Sequence, residues 1–118
     1  MTYSATVMDH FASPRNVGEL PDADAVGKAG EPGRGNYMVL YFRLDGDVIT
    51  HCRFQTYGCA PAIAAGSVVT EMVTGKVVGE ALKLTPEQVE DELGGLPLGH
   101  RHCAALAVQA LRAALTEP

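Results

Sequence analysis

The segment YMVLYFRLDGDVITHCRFQTY, residues 37–57, reads as a β-hairpin. Tyr37 to Leu44 alternates well enough for a strand, and Asp45-Gly46 is a turn pair that favours a tight reversal between antiparallel strands. Val48 to Tyr57 is then the returning strand, with Ile49, His51, Arg53 and Gln55 on one face and Thr50, Cys52, Phe54 and Thr56 on the other. The two faces differ too little in polarity for this pattern alone to say which is inside. Upstream, Ala25 to Ala29 adds a short third strand beyond the glycine-dense turn at Gly30 to Asn36.

Helical signals flank this hairpin on both sides. Gly58-Cys59-Ala60-Pro61 opens a helix, with proline tolerated in the first turn, and from Ala60 to Thr74 the only charge is Glu71. A helix apolar nearly all round belongs at the centre of a fold. Gly75 ends it. Val78 to Lys83 gives a short helix, Thr85 caps another that runs through Leu93, and Gly94 to Gly99 breaks the pattern. The last helix starts near His100 and carries the stripe Cys103, Leu106, Ala107, Ala110, Leu111, Ala114 and Leu115. At the other end, Tyr3, Val7, Met8 and Phe11 mark a helix that Ser13-Pro14 stops. One helix, about three antiparallel strands and then helices make an α+β fold, a small sheet with helices packed on one face.

The 118 residues suit a single domain, 1–118, able to bury roughly two-thirds of its unfolded surface without staples. Fourteen acidic residues against nine Lys and Arg give a net charge of −5 and no basic block, which argues against nucleic acid as a partner. The longest uncharged run, Phe54 to Thr70, is too short and too polar to span a membrane. No basic-then-apolar leader opens the sequence. Three cysteines, an odd number, do not close a disulfide framework, so the expectation is reduced thiols in a cytoplasmic protein.

Three places can carry chemistry: the glycine loop at Gly33 to Asn36, the strand-to-helix turn at Cys59, and His100 to Cys103. Cys59 and Cys103 both fall in the first turn of an expected helix, where unpaired N–H groups favour the thiolate. His100-Arg101-His102-Cys103 packs two imidazoles and a thiol into four residues, a composition suited to zinc or iron. Structural readings stand beside these. Cys103 lies on the apolar stripe of its helix, and Cys52 shares a strand face with Phe54, so both also fit as small buried hydrophobes. His51 reads as a solvated strand residue and His10 as a favourable cation at a helix C-terminus. Glu90, Asp91 and Glu92 read as a solvated helix face, and Ser67 has no base at a suggestive spacing. The glycine loop lacks the Lys and Ser/Thr of a phosphate cradle.

The motifs carry more than their spacing does. Asp9-His10-Phe11-Ala12-Ser13-Pro14-Arg15-Asn16-Val17-Gly18 resembles the opening D-H-Y/F-x-x-P-R-N-x-G of the IscU/NifU-type iron–sulfur cluster scaffolds. Phe54-Gln55-Thr56-Tyr57-Gly58-Cys59 with Ala62-Ile63-Ala64 is similar to that family's F-x-T-Y-G-C-x-x-A-I-A, and Leu96-Pro97 with His102-Cys103 and Leu106-Ala107 to its L-P-P-x-K-x-H-C-x-x-L-A. The resemblance covers almost the whole chain. It implies an α+β scaffold that accepts sulfur from a cysteine desulfurase and assembles a [2Fe–2S] cluster with iron, or holds zinc, at a cysteine-rich site. Carried over, Cys59, His102 and Cys103 match the second cysteine, the histidine and the third cysteine, with Cys59 as the sulfur acceptor.

Two departures bear on chemistry. Where the family reads roughly P-x-C-G-D, this chain has Pro32-Gly33-Arg34-Gly35-Asn36, so Arg34 replaces the first cysteine and Asn36 the aspartate. Arginine cannot bind a cation, and asparagine offers only a weak neutral oxygen. The chaperone tract departs as well, with Leu96-Pro97-Leu98-Gly99-His100 in place of L-P-P-x-K. Three functions follow. One is a scaffold or sulfur carrier using a reduced Cys/His/Cys site, with a cluster formed between two chains or with His100 recruited. Another is an enzyme with a Cys₂His zinc or thiol site and Arg34 holding an anion. The third is a metal-free adaptor of a desulfurase complex.

Overall fold

A computed structural model describes residues 3–116. The expected α+β architecture is present: α1 (Ala5–Ala12), β1 (Ala25–Gly30), β2 (Tyr37–Asp45), β3 (Val48–Tyr57), α2 (Ala60–Val73), α3 (Val78–Ala81), α4 (Pro86–Glu92) and α5 (His102–Leu115). A short 3₁₀ turn, Leu98–His100, precedes α5, so the last helix starts two residues later than its pattern suggests. The strands form one antiparallel sheet in the order β1-β2-β3. Helix α2 packs on β3 and α5 on β1 and β2, while α1 leans on α2 and α4 on α5.

The hairpin turns at Gly46, whose φ of 63° lies in the left-handed region that glycine tolerates. Its register explains why the two faces of β3 looked alike. Arg43 pairs with His51 and Leu44 with Ile49, so one step on β2 matches two on β3 and Thr50 is an extra residue. This β-bulge reverses the alternation beyond it. Ile49 therefore joins Cys52 and Phe54 on the buried face, and His51 and Arg53 stay exposed. Opposite them, Met38, Leu40 and Phe42 of β2 are fully buried.

Small residues set how closely the helices approach. Ala25, Gly27 and Ala29 of β1 stand across from Phe42, Leu40 and Met38. A side chain at Gly27 would meet the Ala110 carbonyl at 2.0 Å and the Ala114 nitrogen at 2.5 Å, so the backbone of α5 rests directly on β1. Gly66 of α2 likewise leaves room for the ring of Phe54, which a Cβ there would meet at 2.4 Å. Thr85 caps α4 as expected and, with Gln88, completes a capping box.

The N-terminal motif is architectural. Ser4 caps α1, accepting from Val7 N–H, and its hydroxyl donates to the Leu93 carbonyl. Asn16, with φ 57°, donates from its side chain to Thr70, and residues 16–18 run along β3 through Phe54 N–H to Asn16 O and Gly18 N–H to Phe54 O. Arg15 pairs with Asp9 at 2.7 Å. Its backbone N–H donates to Ser67 Oγ, which is also hydrogen-bonded to His10 Nδ1 at 2.7 Å. His10 is therefore no exposed end-of-helix cation. Only 5% of it is accessible, and its Nε2 lies 3.8 Å from Glu71. Ser67, which has no partner nearby in sequence, finds one 57 residues away.

Burial, with Arg15 nearby, holds His10 below its ordinary pKa despite the opposing pull of Glu71, Asp9 and Glu92. Its proton is bound more readily by the unfolded chain than by the fold. Stability is therefore unaffected by His10 above about pH 6.5 and falls as the pH drops below it. The prediction is that a urea midpoint measured from pH 8 down to 5 declines more steeply for the native chain than for His10→Gln. Equal slopes would show that His10 does not control this acid limb.

Candidate metal centre

Two helix N-termini bring the site together. Cys59 is the N-cap of α2, and its side chain makes no capping bond, which leaves the thiol free to face the start of α5. Cys103 is the second residue of α5. Their sulfurs lie 3.7 Å apart. His100 Nδ1 is 3.7 Å from Cys59 Sγ, and His102 Nε2 is 3.8 Å from Cys103 Sγ. A tetrahedral zinc with sulfur at about 2.3 Å and nitrogen at about 2.0–2.1 Å has ligand-to-ligand edges of roughly 3.4–3.8 Å. Cys59, His100 and Cys103 thus suit a soft cation in both donor type and spacing, and His102 stands beside Cys103.

The tightest group is Cys59, His100 and Cys103, whose donor atoms all lie within 4.8 Å of one another. The family motif points instead to His102, which is exposed and reaches the site from the Cys103 side. Nothing in the spacing of His100 and His102 distinguishes them. The 3₁₀ turn does so by placing His100 on the Cys59 side, where the Tyr3 ring meets it edge-on at a centroid distance of 5.8 Å. Arg101 between them is tied to Glu90 at 2.7 Å. That carboxylate is only 12% exposed, so Glu90 is not part of a solvated face but an anchor for this turn.

The replacements in the glycine loop occupy different positions. Arg34 lies on the surface, 81% exposed, with its Nε 3.6 Å from Glu31. Asn36 enters the site, its Nδ2 at 3.1 Å from His102 Nε2, 3.5 Å from Cys103 Sγ and 4.0 Å from Cys59 Sγ.

Both cysteines sit at helix N-termini, yet the expectation that this lowers a thiol pKa fails for Cys103. Its side chain is fully buried, and burial, followed by the adjacent Cys59, pushes it up to about 12 against the opposing Asn36 N–H. Cys59 is half-buried at the mouth of the site. Cys52 is 2% exposed on the core face of β3, and burial alone raises its pKa strongly, so it is the structural thiol it was read to be. Leu98, in the 3₁₀ turn, is 86% exposed and Tyr57, at the end of β3, 71%, with Tyr57 stacked on Tyr37 at 6.3 Å. Among the described residues no helix is long and apolar enough to cross a membrane.

A family model for the NifU-like N-terminal domain matches residues 2–117. The chain belongs to this family. Its IscU relatives are similar throughout. The iron–sulfur cluster assembly scaffold protein IscU 1 of Archaeoglobus fulgidus is 49% identical over 115 residues, covering 98% of this chain and 75% of that protein. IscU of Aquifex aeolicus is 44% identical, covering 98% and 74%, and IscU of Escherichia coli 40% identical, covering 99% and 94%. The fold is shared with a putative scaffold protein for the SUF system from Fervidobacterium islandicum, at TM-score 0.79 and 24% identity over 97% of this chain and 96% of that one. A NifU-like N-terminal domain from Brucella abortus follows at TM-score 0.61 and 20% identity, covering 92% and 76%. The NifU-like architecture thus places the Cys59, His102 and Cys103 motifs at one end of two converging helices.

Proposed function

We propose that this chain is an iron–sulfur cluster assembly scaffold that takes sulfur from a cysteine desulfurase at Cys59 and holds iron, zinc or a [2Fe–2S] cluster through Cys59, Cys103 and the flanking histidines. One observation carries the reading. Two thiols 3.7 Å apart, at the N-termini of α2 and α5, are flanked by imidazole nitrogens at 3.7 and 3.8 Å in a chain 40–49% identical to IscU scaffold proteins. His100 supplies a donor that Arg34 cannot, so Cys59, His100 and Cys103 form a three-donor group on one chain with His102 beside it.

The two thiols take different roles. Cys59, half-buried at the mouth, is the acceptor, since its thiol makes no capping bond and can be reached by a donor. The thiolate attacks the outer sulfur of the donor's persulfide. A sulfur–sulfur bond forms on Cys59 while the donor's breaks, and the donor cysteine leaves as a thiolate, so the transfer needs no external oxidant. Cys103 is shielded from such a donor and serves as a fixed ligand. Iron and sulfide are cargo, and the protein contributes their positioning. Exposed Leu98, with Leu96 and Pro97, is the surface on offer to a chaperone.

The test is labelled sulfur transfer from a cysteine desulfurase, with iron and sulfide content measured after anaerobic purification. The native chain should take up label and carry iron and sulfide in near-equal amounts, and Cys59→Ser should lose both. A chain that binds the desulfurase but takes up neither label nor metal would replace this reading with an adaptor role.

A further inference from the structure

Arg101 ties the start of α5 to α4, a helix that carries none of the candidate ligands. Its Nε donates to Glu90 Oε1 at 2.7 Å, and that carboxylate is only 12% exposed. Glu90 also holds the other end of the connecting segment, since its backbone carbonyl accepts from Gly95 N–H at 2.8 Å. Between these two ties the chain runs through Leu98 and Gly99, both exposed, after Gly94 and Gly95 with φ of 78° and 96°. Such a stretch has little packing of its own to fix its direction.

Arg101 has helical backbone angles, φ −64° and ψ −28°. Successive residues of a helical turn point about 100° apart, so a side chain pinned toward α4 turns its two neighbours to different sides. His100 comes to Cys59, with Nδ1 at 3.7 Å, and His102 to Cys103, with Nε2 at 3.8 Å. We propose that the Glu90–Arg101 pair is a positioning device that makes His100, rather than His102, the imidazole grouped with Cys59 and Cys103. Cys59 caps α2 and Cys103 lies inside α5, so neither thiol depends on the pair for its place. Untying it moves His100 away while the thiols stay. The inference rests on the metal-binding reading above.

Anaerobic titration with cobalt(II) alone, followed through the thiolate-to-cobalt absorption band, tests it as a double-mutant cycle. Glu90→Gln and Arg101→Gln should each weaken binding about tenfold or more, the range that groups acting behind a ligand are worth. In a His100→Ala background, Glu90→Gln should change affinity by less than about twofold, whereas in a His102→Ala background its full effect should remain. Thermal melting checks that each chain folds, and Arg101→Gln carries the cycle if Glu90→Gln does not fold. Native affinity in either folded single variant overturns the proposal. So does an undiminished loss in the His100→Ala background, which would make the pair a support of the whole fold. Should His100→Ala lose the band outright, the nuclear Overhauser contact between the Tyr3 and His100 rings decides instead, in metal-free protein. It should vanish in Glu90→Gln, and its persistence there overturns the positioning role. Absence of the band from the native chain would defeat the metal-binding reading, and this proposal with it.

Discussion

Gly27→Ala should destabilise the protein by about 3 kcal/mol or more, at the upper end of what overpacking a core costs. The added methyl would fall 2.0 Å from the Ala110 carbonyl, 2.5 Å from the Ala114 nitrogen and 2.8 Å from the Ala114 Cβ. None of these is a flexible side-chain end, so the helix as a whole must move. Because α5 also carries His102 and Cys103, the shift should reach the candidate metal centre. Urea unfolding would show the lost stability, and cobalt titration in the folded range would show weakened binding. A midpoint within experimental error of the native value would mean that α5 and β1 are less closely seated than described. Gly79→Ala makes a fitting control, since a Cβ there meets nothing within 4 Å.

Cys103→Ser should cut metal affinity more than about a hundredfold, exceeding what partners outside the ligand shell are worth. A serine hydroxyl is a poor ligand for a soft cation, and at this fully buried position it has no freedom to let another group substitute. Cys52→Ala should leave affinity within about twofold, because that thiol lies in the core face of β3 and its only role is packing. Isothermal titration with zinc on both variants separates the cases. Comparable losses in the two would remove the distinction between ligand and core cysteines. Unchanged affinity in Cys103→Ser would transfer the ligand role to the histidines.

The sheet and its helices were legible because each is signalled locally. The Asp45-Gly46 turn, the uncharged run of α2, the Thr85 cap and the stripe of α5 are all patterns within a few residues. What stayed hidden depends on contacts between distant residues. The inner face of β3 could not be chosen because Thr50 is a bulge, and one extra residue inverts the two-residue period on which that choice relies. His10 and Ser67 lie 57 positions apart, and Glu90 meets Arg101 across the start of a different helix. At the candidate site, motif resemblance picked out Cys59, His102 and Cys103 and placed Arg34 and Asn36 beside them. It could not show that Arg34 turns to Glu31 while Asn36 turns inward, since both belong to one short glycine loop. His100 was visible only as one of two histidines in a cluster, and its position opposite Cys59 is a property of the 3₁₀ turn.

Cys59 and Cys103 are 44 positions apart, yet their sulfurs nearly touch. A bridge joining them would close a loop of that length, and chain statistics put the entropy removed from the unfolded polypeptide at about 4 kcal/mol. Cargo at this point would consequently act as a clasp between the hairpin half of the molecule and its last helix. Loosening α5 from β1 would undo the clasp while leaving the antiparallel sheet paired. Unloading would then need only one end of the chain to breathe, and a partner that pulls on the segment just before α5 would hold the natural handle.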